Sequence, residues 1–128
     1  LLNSAEHPAE CHLGLRDYTK KGREYLDGPS LIVKADGAVV VSGKTLATVP
    51  PGKWLHVEIQ LDLGSKDAAA SKTYRLALTV AGAKPQVFDA LPYANPEFSQ
   101  FTWFGFSSVG KAGSVFYVDN IHLDQSAK

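Results

Sequence analysis

The chain has no methionine and a single cysteine, Cys11, among 128 residues. One cysteine closes no internal disulfide, so the fold must rest on its core, and a chain of this length can bury one without staples. Without a partner histidine in any recognisable motif, Cys11 reads as a small buried apolar side chain and not as a catalytic thiol. The missing methionine leads to the expectation that residues 1–128 are a single module cut from a larger protein. An excess of either charge is missing as well: 13 Lys and Arg balance 13 Asp and Glu. No basic stripe follows from such a balance, which argues against a nucleic-acid partner. Apolar runs stop at four or five residues, far short of a membrane helix, and no signal-peptide pattern is visible. Also missing are internal repeats, low-complexity tracts and any long amphipathic helical pattern.

Short alternating strands fill the sequence instead. Residues 55–63 place Leu55, Val57, Ile59, Leu61 and Leu63 against His56, Glu58, Gln60 and Asp62, the period of two expected for one buried and one wet face. Residues 73–80 repeat the pattern, with Tyr74, Leu76, Leu78 and Val80 opposed to Arg75, Ala77 and Thr79. Residues 31–34 and 38–41 flank Asp36-Gly37, a hairpin signal because glycine supplies the positive φ of the turn. Further strands are expected over 11–18, 86–88, 101–108 and 115–123, with charged or Pro-containing loops over 19–28 and 91–98. In the 64–72 connector, three alanines at 68–70 could form at most one helical turn. Seven or eight such strands with Gly and Pro punctuation predict an all-β, antiparallel β-sandwich.

Three segments carry a family likeness. Pro51-Gly52-Lys53-Trp54-Leu55-His56-Val57 resembles the turn-and-strand of laminin G-like and concanavalin A-like modules. Phe101-Thr102-Trp103-Phe104-Gly105-Phe106 resembles a late inner strand of the same sandwiches. Phe116-Tyr117-Val118-Asp119-Asn120-Ile121 is similar to their closing strand. The resemblance implies a jelly roll of the concanavalin A-like kind, in a secreted or cell-surface bacterial protein that handles polysaccharide. It also implies a structural calcium ion for which Asp119 is the ligand. Calcium takes six to eight oxygens, and Asn3, Glu6 and Glu10 are the candidates to complete the set. The other reading of Asp119 has it accepting backbone N–H groups at a strand kink, with no metal. Either way, Val115, Tyr117, Ile121 and Leu123 share its side of a strand, so burial of Asp119 is expected.

Catalysis finds little support. Glycosidases on the fold resembled here carry a Glu-x-Asp-x-x-Glu strand, and Glu58 and Asp62 are the nearest approach to it. Carboxylates four residues apart on a strand lie roughly 13 Å from one another by strand rise alone, beyond catalytic separation. No serine elbow and no His-Glu-x-x-His is present, and His7, His12, His56 and His122 are scattered. A non-catalytic carbohydrate-binding module is therefore expected, with polysaccharide as its partner. Polar side chains for sugar hydroxyls are His56, Glu58, Gln60 and Arg75 on the wet faces of two strands; Tyr93 and Tyr18 are the stacking candidates, with Tyr25 close by. Trp54, after its turn, is expected to plug the end of the core, while Trp103 opposes Phe104 and Phe106, so one of these sets must leave the core. The competing expectation is an interaction domain that packs against an adjacent domain and binds no sugar; a broad apolar patch on one face would favour it.

Overall fold

The computed structural model describes residues 1–64 and 69–125. Ten strands follow in chain order: β1 (Leu2–Asn3), β2 (Glu10–Asp17), β3 (Leu26–Val33), β4 (Ala38–Val41), β5 (Lys44–Thr48), β6 (Leu55–Leu61), β7 (Thr73–Val80), β8 (Gln86–Pro92), β9 (Trp103–Val109) and β10 (Phe116–Tyr117). A five-stranded sheet, β5-β4-β3-β2-β9, faces a three-stranded sheet, β6-β7-β8, and β1 pairs with β10 beside them. Every named ladder is antiparallel, and no helix occurs among the described residues. The architecture is an all-β antiparallel sandwich.

Alternation builds the core. Along β2, Cys11, Leu13, Leu15 and Asp17 are buried while His12, Gly14 and Arg16 turn outward. Leu31 and Val33 of β3 and Val39 and Val41 of β4 complete one layer, and Leu55, Tyr74, Leu76 and Leu78 meet them from the second sheet. Burial pushes the Tyr74 hydroxyl up to about 12 and the Cys11 thiol up to about 11. Cys11 is thus an inert core side chain. The Asp36-Gly37 turn forms as the sequence predicts, with Gly37 at φ 91° and its N–H donating to the Lys34 carbonyl. The β7 strand matches its expected bounds.

Several expectations need correction. β3 starts at Leu26, inside the segment read as a charged loop. Its register against β2 slips between Gly14 and Arg16, and the bulge takes in Pro29, which has no N–H to give a regular ladder. Gly28 sits in that bulge because Phe98 packs onto it: a Cβ there would lie 2.5 Å from the Phe98 ring. β8 runs on through Leu91 past a bulge at Ala90, whose φ is 55°, so the 91–98 loop is shorter than expected. Residues 1–10 belong to the fold. Buried Asn3 clips the segment, its amide donating to the Ala9 carbonyl and accepting the Ala9 N–H, both at 2.7 Å. Trp54 is exposed and does not plug the core. The proposed turn at residues 68–70 begins at Ala68, which lies outside the described residues.

The largest departure is at the C-terminal end. Only Phe116 and Tyr117 of the expected 115–123 strand join a ladder; residues 118–125 have no regular structure. Asp119 is exposed and, among the described residues, accepts the N–H of Asn120 alone, at 2.8 Å, so its expected burial is overturned. A strand forms where a neighbour offers a ladder, and β1 ends after two residues.

Candidate functional site

The outer face of the five-stranded sheet carries a groove of about 160 Å³. Its floor follows from register. Gly14 of β2 lies opposite Gly105 of β9 on one side and Ser30 of β3 on the other, so three adjacent strands present almost no side chain at one level. Two residues along β2 and β9, and three along the bulged β3, the same face carries a row of large groups: Trp103, Arg16 and Asp27. Two residues in the other direction it carries Ser107, His12 and Ile32. Along β2 and β9 the two rows are four residues apart, roughly 13 Å between backbones at the usual rise, and bound a trough that crosses the strands.

One wall is an aromatic–guanidinium stack. The Arg16 guanidinium lies 4.1 Å from the centre of the Tyr25 ring and 4.8 Å from that of Trp103, with its Nε donating to Asp27 Oδ1 at 3.2 Å. Tyr18 continues this wall, its hydroxyl 3.4 Å from an Arg16 nitrogen and its ring 5.5 Å from Tyr25. The hydrogen bond that Arg16 donates to the Tyr18 hydroxyl, then the partners Tyr25 and Asp27, outweigh partial burial and raise the Arg16 pKa above its ordinary value; the side chain is a fixed cation. The Trp103 indole lies down over Gly105, so closely that a Cβ at 105 would meet Cζ2 at 2.5 Å. On the other wall, His12 Nε2 and Glu10 Oε1 are 2.8 Å apart. The trough thus joins flat aromatic surface, a planar cation, carboxylates and hydroxyls, the set that contacts pyranose faces and hydroxyl pairs.

The residues singled out in the sequence fare differently. His56, Glu58, Gln60 and Arg75 do come together, on the outer face of the three-stranded sheet. Arg75 stands opposite Gln60 rather than Glu58; its Nη1 donates to Gln60 Oε1 at 3.3 Å and its Nε to Asp89 Oδ1 at 3.3 Å, while Gln60 donates to Glu58 at 2.5 Å. This is an open, solvated face, and such exposed ion pairs contribute under about 1 kcal/mol. Tyr93 is a core residue, edge-on to Phe98 and stacked near Tyr74, and is not available for stacking on a ligand. Tyr18 is exposed and joins the groove wall.

Sequence reasoning missed Trp103, Arg16, Asp27, Gly14 and Gly105. A signal was there: glycine in the middle of a strand-like run marks a bulge or a close approach, and both Gly14 and Gly105 sit in such runs. That they fall opposite each other depends on a pairing across about ninety positions. A second cleft, about 510 Å³, opens at the end of the sandwich between His7, Glu10 and Lys111. Among the described residues no Phe, Trp or Tyr lines it.

Around Asp119 the donors for calcium are not assembled. Asn3 is committed to Ala9 and Glu10 faces His12, and among the described residues no three His, Cys, Asp or Glu side chains converge. A single exposed carboxylate does not fit the oxygen cage that calcium takes. No protein-family model matches the chain, and comparison with curated proteins and with solved structures likewise finds no match.

Proposed function

We propose that the chain is a non-catalytic carbohydrate-binding module of a secreted or cell-surface protein that handles polysaccharide, with a jelly-roll sandwich as its scaffold. The supporting observation is the Gly14–Gly105–Ser30 trough walled by Trp103, Arg16 and Asp27. Its floor is the backbone of Gly14 and Ser30 with the Trp103 indole laid over Gly105, and its rim is polar, so a glycan chain can lie across the strands with one pyranose face against the indole. Hydroxyl pairs then meet the Arg16 fork and the Asp27 carboxylate, groups already held in place by one another. No pair of carboxylates in the trough stands ready as nucleophile and acid; Asp27 is tied to Arg16. This moves the binding face from the His56–Arg75 side to the opposite sheet.

Glycan-array screening followed by titration calorimetry tests the reading. Wild type should bind at least one polysaccharide class, and Trp103→Ala should weaken it about five- to tenfold, the stacking loss being about 1–1.5 kcal/mol. Gly14→Val, whose side chain enters the trough where a Cβ has only an ordinary 3.8 Å contact, should abolish binding while leaving the fold intact. Arg75→Ala and Glu58→Ala should bind as wild type does. Loss of binding in these last two instead would return the site to the three-stranded sheet, and folded protein that is blank on the array would turn the reading to an interaction domain.

A further inference from the structure

Charge in the trough comes in pairs. Arg16 is the one permanent cation that lines it among the described residues. Its Nε donates to Asp27 Oδ1 at 3.2 Å and its Nη1 to the Tyr18 hydroxyl at 3.4 Å, while its guanidinium carbon stands over the Tyr25 and Trp103 rings, 4.1 and 4.8 Å from their centres. On the other wall His12 Nε2 lies 2.8 Å from Glu10 Oε1. Taken together, Arg16, Asp27, His12 and Glu10 carry no net positive charge, whether or not His12 holds a second proton. The rest of the lining is glycine, serine, tryptophan and aliphatic side chains. Lys20 and Lys21 are exposed on the loop after Tyr18 and lie outside the lining.

That pairing decides which sugar substituents fit. The Arg16 and Asp27 side chains are 30% and 45% exposed, so a ligand reaches both, yet neither is fully bathed in water. A uronate carboxylate or a sulfate ester only accepts hydrogen bonds. To reach the Arg16 nitrogens it must stand beside the Asp27 carboxylate, an acceptor of the same sign, and the trough offers no second cation to offset the repulsion. A hydroxyl accepts and donates at once. It can take a hydrogen from Arg16 and give its own to Asp27, so the ion pair is a matched donor and acceptor for a hydroxyl or for two neighbouring ones. The Ser30 and Ser107 hydroxyls extend the same uncharged chemistry along the trough.

Resting on the carbohydrate reading of the trough, we propose that it selects uncharged glycans and that Asp27 is the residue that turns acidic ones away. Arg16 then acts as half of an ion pair and not as a free cation. Selectivity comes from a repulsive contact with the wrong ligand as much as from the bonds made to the right one. Taking away the Asp27 charge leaves the same guanidinium, still held by Tyr18 and the two rings, open to a carboxylate.

The test uses the full chain and a set of immobilised oligosaccharides: neutral gluco-, xylo-, manno- and galacto-oligomers beside mannuronate and galacturonate oligomers and a sulfated galactan. Wild type should bind among the neutral chains and at least tenfold more weakly to every acidic one. Asp27→Asn should bind at least one of the two uronates at least tenfold more tightly than wild type does, in a manner that fades as salt is raised, and should lose several-fold on the neutral chain. Asp27→Ser is the second variant, with the same expected gain; the melting temperature of each shows that it is folded. Wild type that binds acidic chains as tightly as neutral ones would overturn the proposal while leaving the trough a glycan site. So would folded Asp27 variants that gain nothing on the uronates, since Asp27 would then not be the excluding group. Folded wild type that binds none of the set would remove the carbohydrate reading and the proposal with it.

Discussion

Asp17 is a carboxylate placed where β2 delivers an apolar side chain at every second position, and its side chain is fully buried. One oxygen is satisfied: Oδ1 accepts the Thr19 N–H at 2.8 Å and the Thr19 hydroxyl at 2.6 Å. The other, Oδ2, has no hydrogen-bond partner among the described residues. Burial pushes the acid up, yet the two bonds from Thr19, with further help from the nearby Gln100 amide and then Lys20, hold it below its ordinary 3.8. A depressed folded-state pKa contributes stability that is complete above the unfolded value and is lost as pH falls through the folded one. Wild type should therefore lose this contribution below about pH 4. Asp17→Ala should cost about 1–3 kcal/mol at pH 7 by denaturant unfolding, with a deficit that narrows in acid. A deficit constant from pH 7 to pH 3 would show that the ionised form is not what the fold uses.

At the scale of strands, what a segment can show of itself was legible and what depends on a distant neighbour was not. β7 and the β3–β4 hairpin follow from alternation and Asp-Gly alone, because those signals are local. The 115–123 segment has the composition of a strand but only a two-residue partner, and composition carries no record of the partner's length. The trough was hidden for the same reason: Gly14, Ser30 and Gly105 are unremarkable until the sheet order places them side by side. His56, Glu58, Gln60 and Arg75 were correctly gathered on one face, but periodicity cannot say which of two outer faces is hollow. If the hollow is functional, Gly105 matters as the seat of Trp103. Gly105→Ala should push the indole off the floor and away from Arg16, shifting the tryptophan emission and lowering glycan affinity with little change in melting temperature. Gly14→Ala, with its open contact, is the control and should leave the emission as it is. Unchanged emission in both variants would mean that Gly105 does not set the pose of Trp103.

Over the whole molecule the two sheets are unequal, five strands against three, and the shortfall explains where apolar surface remains. Side chains of β2, β3 and β4 find partners on β6 and β7, whereas at β9, the edge of the larger sheet, Phe106 packs on the core but Phe104 stays 40% exposed. In the terminal segment Leu123 is 75% exposed. The double substitution Ile121→Ser, Leu123→Ser alters only solvent-facing groups of the free protein, so its unfolding free energy should stay within about 0.5 kcal/mol of wild type and its glycan affinity should not change. A large loss of stability in the variant would instead mean that residues 118–123 cover apolar surface of the sandwich in solution.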